Sequence, residues 1–139
     1  VDISAAALDV ARRNGARLGL EVVWHQGEWW SAVGPLHFDL ALANPPYVAP
    51  GDPHVWALRH EPALALTPRD DAGQGLADIE RIALGAPPHL ERGAWLLLEH
   101  GAEQAQAVRS CLQRLGFAAA KTRADLAGRA RVTGGAYRP

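Results

Sequence analysis

Apolar residues along this chain follow helical spacing in some stretches and strand-like runs in others. The first stretch predicts a helix that begins after Ser4, a suitable N-cap, and runs to about Leu18. Leu8, Ala11 and Leu18 lie on one face of that helix. Asn14-Gly15 weakens its last turns, because both residues are poor helix formers.

Five apolar runs have the length and composition of strands. They are Glu21 to His25, Phe38 to Ala43, Ala94 to Glu99, Phe117 to Thr122 and Arg131 to Tyr137. Because helical stretches separate most of these runs, the pattern predicts an α/β fold. We expect a largely parallel sheet with helices on both faces.

Two further helices are predicted between these strands. One begins at about Leu76 and is broken by Gly85 and Pro87-Pro88. The other spans Glu103 to Leu115 and is stopped by Gly116. Their inward positions are Ile79, Ile82 and Ala83 in the first helix and Ala105, Val108, Leu112 and Leu115 in the second.

The segment Val48 to Gly75 has a different character. Four prolines make it too proline-rich for a helix, and it is too long for a simple connection. Four residues separate it from the end of the second strand. A long loop at the end of a strand usually covers a functional site, so we expect this one to do so.

The tetrapeptide Asn44-Pro45-Pro46-Tyr47 is the strongest chemical signal in the chain. It lies at the carboxyl end of the strand Phe38 to Ala43, where open α/β sheets place their chemistry. The two prolines exclude helix and predict a rigid extended turn. Such a turn presents the Asn44 amide beside the Pro45 carbonyl, and together these acceptors can hold both hydrogens of a planar NH2 group. Tyr47 can then cover the flat face of the substrate.

This motif resembles that of methyltransferases that act on planar nitrogens. The chain as a whole resembles the release-factor glutamine N5-methyltransferases, a family of class I S-adenosylmethionine-dependent methyltransferases with a Rossmann-like sheet. The segments that match in order are Val1-Asp2-Ile3-Ser4, Gly27-Glu28-Trp29, Asn44 to Tyr47, Asp52-Pro53-His54, Glu61-Pro62, Leu96 to Gly101 and Arg131-Val132-Thr133.

The resemblance implies S-adenosylmethionine as cofactor and peptide chain release factors as partners. It implies methylation of the glutamine side chain in their Gly-Gly-Gln loop, with Asn44, Pro45, Pro46 and Tyr47 as catalytic residues. Asn44 also contributes to cofactor binding in this interpretation. The chain lacks the helical domain, first strand and glycine-rich loop with which the family begins. We therefore expect residues 1–139 to be the carboxyl-terminal part of a methyltransferase domain, a truncated sheet that is inactive by itself.

Three residues are candidates for holding the nucleoside of the cofactor. Asp2 follows an apolar residue and directly precedes an N-cap, so it can bind ribose hydroxyls or serve as a capping carboxylate. The resemblance favours ribose. Glu28 lies where the family usually has Asp, and the resemblance implies contact with the adenine amino group. Trp29 then lines the adenine pocket, whereas Trp30 is interpreted as core.

The roles of several polar residues stay open at this point. His54, Arg59 and Glu61 in the long loop can contact the release factor or form local ion pairs in solvent. Arg131 resembles a family position near the last hairpin. The favoured interpretation is a buried pair between Arg131 and an acid of the sheet.

Composition excludes several classes of protein. The net charge of −1 argues against nonspecific nucleic-acid binding. No apolar stretch approaches the ~20 residues of a membrane span, and no signal peptide is visible, so the cytoplasm is expected. The histidines lack metal-site spacing, and Cys111, the one cysteine, lies in an apolar helical pattern, so no metal site is predicted.

Two alternatives to the glutamine methyltransferase remain. A DNA amino-methyltransferase uses a similar motif on a flipped base, but it predicts a target-recognition insert and a basic face. Neither is visible in the sequence. A noncatalytic protein that only binds a partner follows from the missing glycine-rich loop.

Overall fold

The computed structural model describes residues 1–49, 51, 60–68 and 73–138. Its contacts divide the chain into two compact units, residues 1–36 and 37–139. The helices and strands in chain order are α1 (Ala5–Arg17), β1 (Phe38–Ala43), α2 (Ala63–Leu66), α3 (Ala77–Gly85), β2 (Leu90–Glu99), α4 (Ala105–Arg114), β3 (Phe117–Ala124) and β4 (Ala130–Tyr137). Helices and strands thus mix as the α/β prediction requires.

The first unit is built around α1, and its predicted N-cap is confirmed. The Ser4 hydroxyl accepts a hydrogen bond from the Ala7 backbone N–H. The helix continues through Gly15, which is buried against the Trp24 ring; a Cβ at Gly15 would lie 3.0 Å from that ring. Close packing therefore explains why a poor helix former is found here. Leu8 is buried as predicted, but Leu18 is 63% exposed because it lies just beyond the helix end.

The predicted strand Glu21 to His25 is wrong. In the first unit only an isolated parallel bridge is present, between Asp2 and Gln26. The Asp2 backbone N–H donates to the His25 carbonyl at 3.2 Å, and the Gly27 N–H donates to the Asp2 carbonyl at 3.1 Å. Two such hydrogen bonds do not form a ladder of paired strands. The residues Glu21 to His25 therefore have the composition of a strand but do not form one.

The second unit contains a four-stranded sheet in the order β1-β2-β4-β3. Only β1 and β2 are parallel, whereas β2 with β4 and β3 with β4 are antiparallel. The prediction of a largely parallel sheet is therefore wrong. The reason is the short turn between β3 and β4, which can only join antiparallel neighbours, and the position of β4 beside β2.

The core of this unit lies between the sheet and its helices. Helix α4 packs on β3 and β4, and α3 packs on α4. All three predicted inward residues of α3 are buried, as are Ala105, Val108, Cys111 and Leu112 of α4, while Leu115 is half-buried. Gly116 ends α4 with φ +84, a backbone conformation that glycine adopts without strain. The helical periodicity was therefore a good guide to the core.

Three details of the second unit add to or differ from the sequence prediction. The proline-rich segment contains the four-residue helix α2, with Pro62 at its N-cap position, where a missing backbone N–H costs nothing. Strand β1 has the predicted bounds but no buried residue, and Leu40 and Leu42 are 51% and 69% exposed. Strand β2 is longer than predicted, and its inward residues Leu96 and Leu98 are fully buried.

Candidate active site

The Asn44-Pro45-Pro46-Tyr47 turn follows β1 at its carboxyl end, as predicted. None of its four residues belongs to a helix or strand. Asn44 is exposed, Pro45 is fully buried, and the other two residues are half-buried. No hydrogen bond joins the Asn44 side chain to another described residue. Burial of Pro45 anchors the turn, and the Asn44 amide is left facing outward.

Tyr47 is tied to the neighbouring parallel strand. Its hydroxyl donates a hydrogen bond to Glu99 Oε1 at 3.2 Å. Ala43 of β1 pairs with Leu98 of β2, so the residues that follow them, Asn44 and Glu99, both lie at the carboxyl ends of these two parallel strands. Burial, followed by the negative charge of Glu99, raises the pKa of the Tyr47 phenol, so the hydroxyl keeps its proton and remains a donor.

Gln104 contacts the backbone of the turn. Its Nε2 donates to the Tyr47 carbonyl at 2.9 Å and to the Gln74 carbonyl at 2.7 Å. Its Oε1 accepts from the Gly101 backbone N–H at 2.7 Å. A role for Gln104 was not predicted from the sequence. The available signal was half of a capping box, because Gln lies three residues after the cap position but glycine replaces the usual Ser or Thr.

A partly buried hydrogen-bond chain runs from α4 through the sheet to the end of β2. Arg109 Nη1 donates to Thr122 Oγ1 at 2.6 Å, and Thr122 and Thr133 hydroxyls are 2.8 Å apart. His100 Nε2 lies 2.7 Å from Thr133 Oγ1, and its Nδ1 lies 2.8 Å from the Gly101 carbonyl. A guanidinium can only donate and a carbonyl can only accept, so every bond in the chain has one direction. His100 therefore carries its proton on Nδ1.

His100 is fully buried, and this burial lowers the pKa of its imidazole below the usual 6.5. The positive charges of Arg131 and Arg109 act in the same direction, against opposing contributions from the Gly101 carbonyl and Glu99. Both ring nitrogens are already hydrogen-bonded. The Glu99-His100 pair is therefore divided in role: Glu99 holds Tyr47, and His100 is a neutral structural residue.

Arg131 pairs with an acid, but the acid lies in the β3–β4 turn. Arg131 Nε donates to Asp125 Oδ2 at 3.2 Å, and both side chains are only about half-buried. Asp125 Oδ1 accepts the backbone N–H groups of Ala127 and Arg129, each at 2.9 Å. These bonds, that from Arg129 first, lower the pKa of the Asp125 carboxyl. The predicted buried pair in the sheet is corrected to a half-buried pair that closes the hairpin.

The three candidates for binding the nucleoside, Asp2, Glu28 and Trp29, all lie in the first unit, whereas Asn44, the fourth candidate for cofactor binding, lies in the second. The bridge between Asp2 and Gln26 brings Asp2 next to the segment that carries Glu28 and Trp29. The side chains of Asp2 and Glu28 are exposed, and Trp29 is half-buried. Asp2 Oδ1 accepts the Ser4 backbone N–H at 2.8 Å, which is the local capping role that the sequence left open. Its ribose role stays a prediction.

Trp29 has an unusual backbone conformation. It begins a short 3-10 helix, residues Trp29–Ala32, with φ +45, a region that bulky residues seldom adopt. Gly27 precedes it, and a Cβ there would lie 2.9 Å from the Ala32 Cβ. Strained backbone of this kind is concentrated at ligand sites, so the strain at Trp29 is consistent with a binding role for this turn.

Part of the predicted site lies outside the described residues. This applies to His54, Arg59 and the matching segment Asp52-Pro53-His54. Glu61 is described and exposed. In the described part of the chain, no group of three or more His, Cys, Asp or Glu side chains could hold a metal ion. None of the described helices is long and apolar enough to cross a membrane.

Known proteins resemble this chain over nearly all of its length. The release factor glutamine methyltransferase of Xylella fastidiosa is 47% identical over 137 residues, which are 96% of this chain and 49% of that protein. The enzyme of the same name from Neisseria gonorrhoeae is 44% identical over 140 residues, 98% of this chain and 50% of that protein. The chain belongs to the release factor glutamine methyltransferase family. The resemblance that the ordered motifs predicted is thereby confirmed.

The chain spans about half the length of the curated relatives it matches. A scan against protein-family models finds no match. A solved protein-(glutamine-N5) methyltransferase from Alicyclobacillus acidocaldarius, described as release factor-specific, covers this whole chain with 64% of its own length, at 24% identity and a TM-score of 0.49. Membership in a methyltransferase family implies a methyl donor as cofactor.

Proposed function

We propose that the protein carrying this chain methylates the side-chain amide of the glutamine in the Gly-Gly-Gln loop of peptide chain release factors. The observation that carries the proposal is the Asn44-Pro45-Pro46-Tyr47 turn. It lies at a parallel strand end, with an exposed Asn44 and with Tyr47 bonded to Glu99. Relatives at 44% to 47% identity bear the name of this activity.

The turn supplies the grip on the substrate. The Asn44 side-chain oxygen and the Pro45 carbonyl accept the two N–H groups of the glutamine amide and hold its nitrogen in one orientation. Pro46 stiffens the turn, and the Tyr47 ring packs against the amide plane. Holding the reacting nitrogen in this way supplies the entropic part of catalysis.

The residues of the first unit fit a nucleoside cofactor, which we propose is S-adenosylmethionine. Exposed carboxylates at Asp2 and Glu28 are acceptors suited to ribose hydroxyls and to an adenine amino group, and Trp29 offers a flat apolar surface. When bound, S-adenosylmethionine supplies a methyl group on a positively charged sulfur, so the protein needs to orient the nitrogen more than to activate it.

No side chain is assigned as a general base. His100 is excluded from that role because it is fully buried and both ring nitrogens are engaged. The proton that the amide nitrogen loses after transfer passes to solvent, to which the exposed Asn44 end of the turn gives access.

Release factors are the proposed partners, and translation termination places the reaction in the cytoplasm. A DNA amino-methyltransferase is disfavoured because a net charge of −1 gives no excess of basic residues for phosphate contacts. No metal takes part in the proposed reaction.

The proposal is tested with the full-length protein, a purified release factor and isotopically labelled S-adenosylmethionine. We expect one methyl group on the glutamine of the Gly-Gly-Gln peptide, detected by mass spectrometry. A release factor in which that glutamine is replaced by glutamate is the matched control and should stay unlabelled. Label in duplex DNA would support the DNA enzyme instead, and binding of release factor without transfer would support a noncatalytic role.

A further inference from the structure

Nearly all hydrogen-bonding groups of the Gln104 side-chain amide are engaged. Both N–H groups of its Nε2 donate, to the carbonyls of Tyr47 and Gln74, and its Oε1 accepts from the Gly101 N–H. Carbonyls require a donor and an N–H requires an acceptor, so the amide has only one orientation that satisfies all three groups. Gln104 is therefore fixed by its own contacts.

These three contacts join segments that are far apart in sequence. Tyr47 is 57 residues from Gln104, Gln74 is 30 residues away, and Gly101 is three residues away. The Tyr47 contact reaches the proposed substrate-gripping turn. Gln74 lies near the end of the proline-rich segment, which is expected from the sequence to cover the site. One side chain thus links both to the turn after β2.

The peptide group between Tyr47 and Val48 is held at both of its polar atoms. Its carbonyl accepts from Gln104, and its N–H, which belongs to Val48, donates to the Leu66 carbonyl at 2.9 Å. The phenol at the other end of Tyr47 donates to Glu99. Tyr47 is consequently fixed at its backbone and at its side-chain tip.

Gly75 packs directly against this peptide group. A Cβ at Gly75 would overlap the Tyr47 carbonyl and would lie 2.7 Å from Gln104 Nε2. Gly75 also has φ +68, which favours glycine. Nearby Gly73 has φ +96, but a Cβ there would meet nothing within 4 Å. Both glycines therefore have a backbone conformation that would strain any other residue, and they differ in whether they contact the Tyr47 peptide.

We propose that Gln104, with Gly75 packed beside it, is a positioning residue that sets the Tyr47 peptide and so the orientation of the Asn44–Tyr47 turn during methyl transfer. The inference rests on the proposed function of that turn. Prolines 45 and 46 already have a fixed φ. Their ψ angles remain free, and holding the Tyr47–Val48 peptide at one end of the turn limits how these rotations can change the angle of the turn to the substrate amide.

The first test compares Gln104→Glu with Gln106→Glu in the full-length protein. Gln104→Glu keeps the shape of the side chain but replaces the donating Nε2 with an oxygen, which cannot donate to the carbonyls of Tyr47 and Gln74. Gln106 is exposed, and its Oε1 accepts a hydrogen bond from Arg109, so Gln106→Glu keeps that bond. We expect Gln104→Glu to lower kcat at least about tenfold, which corresponds to about 1.4 kcal/mol, with less than about threefold change in KM for release factor. Gln106→Glu should match the wild type.

A second pair covers the case in which Gln104→Glu fails to fold. Gly75→Ala and Gly73→Ala impose similar backbone strain, but only the first pushes on the Tyr47 carbonyl. Gly75→Ala should reproduce the loss of kcat, and Gly73→Ala should not. Equal kcat values within both pairs would overturn the positioning role, as would a defect confined to KM.

Amide hydrogen exchange gives a readout that is independent of activity. In Gln104→Glu, the Val48 amide should exchange at least about tenfold faster than in Gln106→Glu, while the amide of buried Leu98 stays unchanged. If the wild type transfers no methyl group to release factor, the proposed function fails. Amide exchange still shows whether Gln104 holds the peptide group between Tyr47 and Val48. An unchanged exchange rate at Val48 would contradict the claim that Gln104 holds this peptide group.

Discussion

The Tyr47 hydroxyl donates a hydrogen bond of 3.2 Å to Glu99 Oε1 across the carboxyl ends of two parallel strands. The two residues are 52 positions apart in the chain. The bond sets the direction of the Tyr47 ring, which the proposed mechanism lays against the substrate amide. It also gives Glu99 a role that does not depend on its neighbour His100.

The ring and the hydroxyl of Tyr47 should make separable contributions. Tyr47→Phe keeps the ring and removes one half-buried hydrogen bond to a charged acceptor, so we expect kcat for release-factor methylation to fall by about tenfold or less. Tyr47→Ala removes the ring as well, and kcat should fall at least another tenfold, about 1.4 kcal/mol. Steady-state kinetics of both variants measure the difference. Equal losses in the two variants would show that the ring itself does not contribute.

Asn44→Ala should remove methyl transfer while leaving S-adenosylmethionine binding within about tenfold, because Asn44 mainly grips the substrate amide. Methylation is followed by mass spectrometry, and the dissociation constant of the cofactor by calorimetric titration. Asn14→Ala, at an exposed position of α1, is the control and should behave as the wild type. Substantial transfer by Asn44→Ala would refute the proposed grip.

Glu28→Gln should weaken cofactor binding by about 1–3 kcal/mol if the Glu28 carboxylate accepts the adenine amino group. Calorimetric titration of the full-length variant gives the dissociation constant. Glu21→Gln changes the same groups at another exposed position of the first unit and should have no effect. An unchanged constant for Glu28→Gln would leave Trp29 as the residue that defines the adenine pocket.

Thr133→Val should destabilise the fold by about 1–3 kcal/mol. Thr133 is fully buried, and the change leaves His100 Nε2 without its donor and Thr122 without its acceptor. Thr122→Val is the matched comparison and should cost less, because it leaves the bond between Thr133 and His100 in place. Urea unfolding measures both free energies. A larger loss for Thr122→Val would contradict the expectation that the buried bond between Thr133 and His100 is the costlier one to lose.

Acid should destabilise the protein through His100. Burial lowers its folded-state pKa below 6.5, so as the pH falls below about 6.5 the unfolded chain binds a proton that the folded chain does not. The free energy of unfolding therefore decreases with falling pH in this range, until the lowered pKa is reached. His100→Gln removes the titrating group and should show a shallower decrease in urea unfolding between about pH 7.5 and 5.5. Parallel curves for wild type and variant would rule out His100 as the source.

Local sequence determined much of this protein. Ser4 starts α1, Gly116 ends α4, and the Asn44–Tyr47 turn follows a strand with the predicted bounds. The buried face of α3 was also predictable, since helical spacing alone places Ile79, Ile82 and Ala83 together. These features depend on capping, backbone conformation and periodicity, all of which act over a few residues.

Tertiary structure decided what depends on distant partners. The pairing of β4 with β2 makes the sheet mixed, and nothing in the strand sequences specifies which neighbour β4 takes. The predicted strand Glu21 to His25 has the right composition, but a strand also requires a paired neighbour, and the first unit provides only one bridge. In the sequence, Gln104 looks like an ordinary residue at the start of a helix. Its contact with Tyr47, 57 positions away, is visible only in the folded chain. The sequence therefore pointed to the Asn44–Tyr47 turn as the candidate site, and only the fold revealed which residues hold it, because a hydrogen bond between distant segments leaves no local pattern.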